Sequence, residues 1–362
     1  MFKKSDIIIA TVGRRGLCLL PNIPLAGLRM VTFYHSFSFF AKDTYMKPQK
    51  ITLPLDIDEQ VALMEKYVSF SDDTAIRKML GYTGFFRLRR YGMFLLSKMG
   101  RFGKKPSEDL LFGLYDFDER LRLLLFDFCK MAEIQLKTNI AVGLSNAENN
   151  CRFYLSENSY TPTKGNNDKL SKQKNVRFFE GFLKDIQNNE QRIRTDTARY
   201  PEVKEMRPKG KSENDLLPAE VYFHYIDLGD IVPIYSYLRG DLRKEVLKYG
   251  YTRKHYGKET TKQFDTWLEA VRNLRNFCAH HLMLVGKNSC VILPEFGEDY
   301  IVSSKTDLFS RLYALKKILP EDISESLKDS LQALVQSTDI DVLGLGILPR
   351  DWAEKFDRIK VL

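Results

Sequence analysis

The clearest hydrophobic pattern in the chain lies between Ser107 and Leu144. Its apolar residues recur at alternating intervals of four and three residues: Leu110, Leu114, Phe117, Leu121, Leu124, Phe128 and Met131. This spacing is typical of a helix that packs against another helix along one seam. Further apolar side chains at Leu123, Leu125 and Phe126 widen the seam. The pattern therefore predicts a long helix at the buried centre of a helical bundle.

Helical periods also cover most of the chain on either side of this helix. Upstream, apolar residues recur at helical spacing after Asp56, and a second element is predicted from about Ser71 to Leu80. Downstream, the same period predicts helices over residues 218–228, 230–249, 260–284 and, as a last pair, 306–336. The expected fold class is therefore all-α.

Composition divides the chain into three parts. Residues 1–45 keep neither a helical nor a strand period for long, and we treat them as an N-terminal extension. Met46 is then the hypothetical natural start, and an ordered N-terminal arm is the alternative. The main helical domain is expected over residues 46–304, and residues 305–362 are expected to form a small C-terminal helical segment packed on it.

Residues 157–215 differ in composition from the rest of the main domain. Between Lys164 and Lys211 there are thirteen Lys and Arg residues against seven Asp and Glu residues. Loop-forming residues separate this segment from its neighbours, and a helix is predicted near residues 176–187. We interpret the segment as a basic insertion on the bundle. A solvated polar face that binds no ligand explains the composition equally well.

The balance of charges favours a polyanionic partner without identifying it. The formal net charge is +9 and the isoelectric point is near 9.1, so a positive field would attract phosphates before any specific contact forms. Five scattered cysteines include no C-x-x-C pair, which disfavours a disulfide framework and a zinc site and fits a reducing cytoplasm. No run of about 20 apolar residues predicts a membrane span.

The strongest candidate for chemistry is the segment L-R-N-F-C-A-H-H at residues 274–281. With Arg272, two residues before it, the segment gathers several polar side chains near the end of a predicted helix: Arg272, Arg275, Asn276, His280 and His281. Asn276 and His280 are one helical turn apart, so the amide is expected to orient the imidazole. Arg275 and His280 are about 140° apart around a helix axis and would flank a cleft.

Cleavage of an RNA backbone is the reaction that suits these groups. The 2′-hydroxyl must lose a proton, and histidine titrates near neutrality, so His280 can transfer that proton. Arg275 stays charged and offers a planar fork to the phosphate oxygens. The nucleophile is part of the substrate, so we expect no metal and no cofactor. One Arg and one His form half of an acid–base site, which a two-fold dimer would complete.

Two other interpretations of the histidines remain open. A histidine near a helix end commonly caps exposed carbonyl groups, and the residues alone do not distinguish this interpretation from catalysis. A metal site at His280 and His281 is disfavoured, because neighbours on a helix point about 100° apart and no acidic or cysteine partner stands at ligand spacing.

A second candidate site lies at residues 81–91, where aromatic residues alternate with basic ones. Such patterns can stack nucleobases and hold phosphates, although the aromatic residues of a helix more often belong to the core. We predict a core position for Tyr82, Phe85 and Phe86. Three basic residues of the segment are candidate RNA contacts: Arg87, Arg89 and Arg90.

Acidic residues of the central helix do not form a recognisable metal site. Asp116, Asp118 and Asp127 lack the spacing of a two-metal centre, and we interpret them as solvated or ion-paired. Glu133 lies deeper in the seam and is expected to pair with an arginine of the helix that carries Arg275.

Five sequence blocks occur in a characteristic order within residues 48–355. They are residues 80–92, 114–125, 218–220 with 228–235, 274–281 and 348–352. The first resembles a Y-Y-R-L-x-G-Y motif, the second a Y-x-F-D-x-x-L-R-x-L-L-L helix, and the last an F-P-x-x-W ending. Residues 274–281 closely match L-R-N-x-C-A-H-H. Together the blocks resemble the Abi-like family of abortive-infection proteins (the AbiD/AbiF group), whose fold belongs to the HEPN superfamily.

The resemblance implies a HEPN-like helical bundle that dimerises around its R-x4-H helices. It implies metal-independent RNA cleavage in anti-phage defence or in a toxin–antitoxin pair, with Arg275 and His280 as catalytic residues. Asn276, His281, Arg272 and Glu133 would support them. The implied partners are the RNA substrate, a second copy of the chain and a regulatory or antitoxin RNA. The alternative is a non-catalytic RNA-binding or scaffold protein of the same fold.

Overall fold

A computed structural model describes residues 55–100, 103–162, 169–205, 215–251, 257–293, 302 and 304–362. Within these residues every regular element is an α-helix or a short 3-10 turn, which confirms the all-α prediction. No helix in this part of the chain is both long enough and apolar enough to cross a membrane. The expectations for residues 1–45, including a start at Met46, lie outside the described residues.

The helices are numbered in chain order. The first four are α1 (Ile57–Met64), α2 (Thr74–Thr83), α3 (Phe85–Met99) and the central helix α4 (Glu108–Glu148). The middle of the chain contributes α5 (Lys169–Thr195), α6 (Pro201–Glu205), α7 (Ala219–Tyr225), α8 (Leu228–Tyr237) and α9 (Gly240–Gly250). The last four are α10 (Lys258–Ala279), α11 (Leu308–Ile318), α12 (Glu321–Gln336) and α13 (Trp352–Arg358).

Helix α4 is the central element, as its hydrophobic seam predicts. Its first turn is capped by Ser107, whose hydroxyl accepts a hydrogen bond from the Leu110 amide at 3.3 Å. The buried side of the helix packs against α3, α7, α9, α10, α11 and α12. The predicted widening of the seam is wrong at two positions, because Leu123 is 65% exposed and Phe126 is 39% exposed. Those two side chains lie on an outer face of the helix.

Helix α10 packs against both α4 and α11. Its buried residues follow the 4-3-4 spacing of a helix seam: Trp267, Val271, Leu274 and Cys278. All eleven residues of α11 are buried, so α10 has a rigid support on its inner side. The polar residues of the candidate site on α10, Arg272, Arg275 and Asn276, occupy half-buried positions beside this seam.

Two predicted helices differ from the structure in their bounds. The helix expected over residues 230–249 is two helices, because the chain is extended at Leu238 and at Arg239. The Arg239 amide donates to the Ser159 carbonyl at 3.1 Å, which fixes this break. The helix expected over residues 260–284 ends at Ala279.

The segment 157–215 contains the long helix α5, in agreement with the helix predicted there. One side of α5 is buried, and it includes Phe179, Ile186 and Ile193. The helix contacts the 3-10 turn Phe153–Leu155 and α7. Glu190 is also buried, and its carboxylate accepts hydrogen bonds from Arg194 and from the Leu217 amide, each at 3.0 Å. The described part of α5 is therefore packed on the bundle.

A buried polar network joins α4 to α3 and to the segment after α10. The Asp118 carboxylate pairs with Arg122 one turn along α4 and accepts a hydrogen bond from the Tyr91 hydroxyl at 2.6 Å. Its other oxygen accepts from the amides of Leu284 and Val285 at 3.0 and 2.9 Å. Burial raises the pKa of Asp118, and the positive charge of Arg122 opposes that rise. Removing the carboxylate would leave a buried guanidinium and two buried amides without their acceptor.

We expect Asp118→Ala to lower the free energy of unfolding by about 3–5 kcal/mol, because it strands the buried Arg122 charge. Asp116→Ala is the matched control on the same helix. It removes the exposed partner of Arg120 and should cost less than about 1 kcal/mol. Urea unfolding followed by circular dichroism measures both values. Similar losses for the two variants would contradict a structural role for the Asp118 network.

Candidate active site

The guanidinium of Arg275 lies on the partly exposed side of α10, facing α4. Its Nη2 atom is 3.4 Å from Oε2 of Glu133, so the expected pairing of Glu133 with an arginine of this helix is confirmed. The other carboxylate oxygen of Glu133 is 3.0 Å from Nζ of Lys137. These three side chains together carry one net positive charge. The Glu133 carboxylate restrains the Arg275 guanidinium and leaves part of it accessible to solvent.

Asn276 contacts Arg275 and not the imidazole that it was expected to orient. The Nη1 atom of Arg275 donates to Oδ1 of Asn276 at 3.2 Å. The contact between Asn276 and His280 is a backbone hydrogen bond of 3.0 Å. Arg272, the third polar residue on this side of α10, pairs with Glu269 at 2.6 Å. Glu133 and Asn276 therefore hold Arg275 from two directions.

The end of α10 is a Schellman motif that contains both histidines. His280 is the C-cap, the His281 amide donates to the Cys278 carbonyl at 3.1 Å, and the Leu282 amide donates to the Phe277 carbonyl at 2.9 Å. Backbone groups thus satisfy the last carbonyls of the helix. Among the described residues, neither imidazole forms a hydrogen bond or an ion pair, and both are exposed. This geometry weakens the interpretation of His280 as a side-chain cap.

His281 adopts a backbone conformation that usually belongs to glycine. Its φ angle is +54°, in the left-handed region that Schellman motifs require at this position. A side chain there costs about 1 kcal/mol relative to glycine. Such strain concentrates at functional positions, so the imidazole of His281 is itself a candidate contact for a ligand.

The segment after the histidines is fixed to α4 and α3. The Asp118 carboxylate holds the amides of Leu284 and Val285, as described above. Gly286 has a φ angle of +64°, and a side chain here would collide with the ring of Phe94 on α3. The turn that carries His280 and His281 is therefore held by α10 before it and by these contacts after it, which limits its freedom to move.

The cysteine of the 274–281 segment is a packing residue. Burial raises the pKa of Cys278 to about 12, so its thiol stays protonated at neutral pH. Burial also raises the pKa of the neighbouring Cys129 on α4. These thiols do not supply a nucleophile. Within the described ranges, no group of three His, Cys, Asp or Glu side chains is arranged to hold a metal ion.

The second candidate segment divides into core and surface in a way that differs from the prediction. Phe85 is buried, as expected, but Tyr82 is 80% exposed and Phe86 is 60% exposed. Their core assignment is wrong because the chain breaks into two helices at Gly84, with a φ angle of +74°, and both rings lie on the solvent side of their own helix. Arg89 donates to the Tyr67 hydroxyl at 2.9 Å and lies over that ring. Arg87 and Arg90 are exposed to solvent.

Sequence reasoning missed two groups that support the site. One is the Asp118 network, although an opposite-charge pair four residues apart within an apolar seam is a recognisable signal. The other is Arg311 on α11, which is fully buried. Its guanidinium lies 5.3 Å from the ring centroid of Phe277 and donates to the Lys287 carbonyl at 2.6 Å. No local pattern in α11 distinguishes Arg311 from a solvated arginine.

A family model described as Abi-like protein matches residues 78–285, which include Asp118, Glu133, Arg275 and both histidines. No curated protein and no solved structure matches the chain. The matched region is more than half of the 362 residues. The chain therefore belongs to the Abi-like protein family.

Proposed function

We propose that this protein is a metal-independent endoribonuclease that acts in abortive infection, either in anti-phage defence or as the toxin of a toxin–antitoxin pair. Membership in the Abi-like family supports the abortive-infection role. The observation that carries the proposed activity is a pair of side chains at the end of α10. The imidazole of His280 is exposed just after the helix, and the guanidinium of Arg275, in the last turns of the helix, is restrained and partly accessible. The helical bundle would have a HEPN-like arrangement.

The proposed reaction is an attack of the RNA 2′-hydroxyl on the adjacent phosphate. His280 removes the hydroxyl proton and the 2′-oxygen forms a bond to phosphorus. The bond from phosphorus to the 5′-oxygen breaks, and the 5′-oxygen leaves with a proton supplied by His280 of a second copy. Arg275 stabilises the negative charge on the phosphorane oxygens. Its 3.4 Å contact with Glu133 is longer than a strong charge-assisted hydrogen bond, which suits a guanidinium that must turn toward a phosphate.

A homodimer would complete the acid–base pair, since one chain offers one Arg275–His280 pair. The outer face of α4 supports this part of the proposal. Leu123, Phe126 and Ile134 are exposed there at helical spacing, and Ile134 follows the Glu133 that holds Arg275. Exposed apolar side chains in a row are typical of a protein–protein interface. A second copy placed on this face would pack α4 against α4, next to the Glu133–Arg275 pair of each copy.

The alternative function is a non-catalytic RNA-binding or scaffold protein. The intact Arg275–His280 pair favours the nuclease, because a protein that only binds RNA has no use for a proton-transfer group at this position. A regulatory or antitoxin RNA remains a proposed partner under either function, and the proposed location is the cytoplasm.

We expect His280→Ala to lower RNA cleavage by at least about 100-fold, because the general base is lost. His224→Ala, which removes another exposed histidine on α7, is the matched control and should retain cleavage. The measurement is the fragmentation of total RNA and the arrest of growth after induction in a bacterium, followed by cleavage by the purified protein in EDTA. Equal cleavage by the two variants would favour the RNA-binding alternative.

Glu133→Gln tests the restraint on Arg275. The amide keeps the shape of the side chain but removes the charge that holds the guanidinium, so we expect kcat to fall about tenfold or more while KM changes little. Glu245→Gln, which removes the partner of Lys248 on α9, is the control. Initial rates of cleavage of a labelled RNA, measured over a range of RNA concentrations, give kcat and KM for both variants. A loss confined to thermal stability would mean that Glu133 is only structural.

Replacing two residues of the outer face of α4 tests the dimer. Leu123→Glu combined with Phe126→Glu should convert the protein to monomers and reduce cleavage at least about tenfold, since charges in an apolar interface are poorly tolerated. Phe178→Glu, at an exposed ring on α5, is the control. Light scattering coupled to size-exclusion chromatography gives the oligomeric state. A wild-type protein that is monomeric and active would contradict the composite site.

A further inference from the structure

An exposed aromatic and basic surface lies outside the Arg275–His280 pair. We define the α3 surface by five side chains: Tyr82, Phe86, Arg87, Arg90 and Lys287. All five are exposed to solvent. Large aromatic rings with this exposure are unusual on a surface unless they contact a partner. The cleavage chemistry described above does not use any of the five.

Helical geometry places the rings and the charges of α3 together. Phe86 and Arg90 are one turn apart on the same side of α3, and Arg87 is one turn before Arg90. The opposite side of the helix is anchored in the core by buried residues: Phe85, Leu88, Tyr91 and Leu95. Tyr82 lies in the last turn of α2, two residues before Gly84. The backbone under the exposed groups of α3 is therefore rigid, so a ligand would need to order only their side chains.

Lys287 joins this surface to the candidate active site. Gly286 packs against the ring of Phe94, which is one turn after Arg90 on α3. The carbonyl of Lys287 is held by the buried Arg311 at 2.6 Å. Desolvation lowers the pKa of Lys287, and the positive charge of Arg90 lowers it further. Arg90 and Lys287 are therefore near neighbours that repel each other.

The charges of this surface are not neutralised by the protein. Among the described residues, Arg87, Arg90 and Lys287 form no ion pair, whereas Arg89 is engaged with Tyr67. Like charges that the fold holds close together are relieved by an anionic ligand. Phosphate groups match this requirement, and the two exposed rings beside the cations match unpaired nucleobases, which stack on aromatic side chains.

The geometry points to the α3 surface as a binding track for single-stranded RNA that leads to His280 and His281. Arg87, Arg90 and Lys287 bind backbone phosphates, and Tyr82 and Phe86 stack bases. The inference rests on the proposed function, because it assigns the approach of the RNA to the same site. Lys287 is six positions after His281, so at most about 21 Å lies between their Cα atoms. A short run of nucleotides spans that distance.

The track should discriminate against double-stranded RNA. Bases in a duplex are already paired and stacked, so Tyr82 and Phe86 gain nothing from them, whereas the three cations contact the phosphates of either form. A protein partner is a weaker match, because the rim of three unpaired cations would require a strongly acidic counterpart. Self-association through the rings is the competing outcome that the experiment must separate.

Binding is measured in the full-length His280→Ala background, so that the probe is not cut. The probe is a fluorescein-labelled single-stranded RNA of twelve nucleotides, and fluorescence anisotropy gives its Kd at several salt concentrations. We expect Phe86→Ala to weaken binding at least about fivefold for the single strand and to leave a duplex of equal length unaffected. Arg90→Glu combined with Lys287→Glu should weaken both forms at least about tenfold and reduce the salt slope by about two.

Lys262→Glu is the matched charge control. Lys262 is exposed on the same helix as Arg275 but 13 residues earlier, about 20 Å along the axis, and its replacement should leave Kd within about twofold. Unchanged single-strand binding by Phe86→Ala and by the double variant would overturn the track. Loss of the dimer in Phe86→Ala with unchanged Kd would assign the rings to self-association and would also overturn it.

The two proposals fail in different ways. A protein that binds the single strand through the α3 surface but never cleaves RNA retains the track and loses the nuclease. A protein that cleaves RNA with wild-type kinetics after Arg90→Glu and Lys287→Glu are introduced into the active chain retains the nuclease and loses the track.

Discussion

The buried carboxylate of Asp118 is the interaction on which the arrangement of the site depends. It connects three segments that are far apart in sequence: α3 through Tyr91, α4 through Arg122, and the segment after α10 through the amides of Leu284 and Val285. Burying a carboxylate is costly unless donors surround it. Around Asp118 these donors are a guanidinium, a hydroxyl and two amides. The same hydrogen bonds fix the position of the segment after the histidines.

Helix α4 consequently fixes both ends of the proposed catalytic pair. Asp118 holds the chain just after His281, and Glu133, fifteen residues later, holds Arg275. At the rise of an α-helix, fifteen residues span about 22 Å. Because α10 runs in the opposite direction along α4, the turn with His280 and His281 lies between these two anchors. A single rigid helix thus sets the separation of the guanidinium and the imidazole, which neither α10 nor its turn could define alone.

Periodicity in the sequence was sufficient to predict the helices and the inner seams of α4 and α10, but it does not tell what covers an apolar face. Leu123, Phe126, Tyr82 and Phe86 continue helical patterns and are nevertheless exposed. Charged pairs show the same ambiguity. Asp116–Arg120 and Asp118–Arg122 have identical spacing, yet the first pair is exposed and the second is buried, because two residues correspond to about 200° around the axis. Identifying the site from L-R-N-F-C-A-H-H required a family resemblance in addition to spacing.

The buried Arg311 gives the strongest electrostatic argument for a phosphate at this site. Burial lowers its pKa to about 10, so it stays charged at neutral pH, and within the described part of the chain its Nε and Nη1 atoms have no hydrogen-bond partner. Such a charge destabilises the fold unless something else is gained. The Arg311 guanidinium lies over the ring of Phe277, a residue that falls between Arg275 and His280 in the sequence. It also donates a hydrogen bond to the carbonyl of Lys287. A fixed positive charge buried next to the end of α10 stabilises an anion bound at the surface there without any reorganisation. The loss of stability caused by burying Arg311 is understandable if that anion is a phosphodiester.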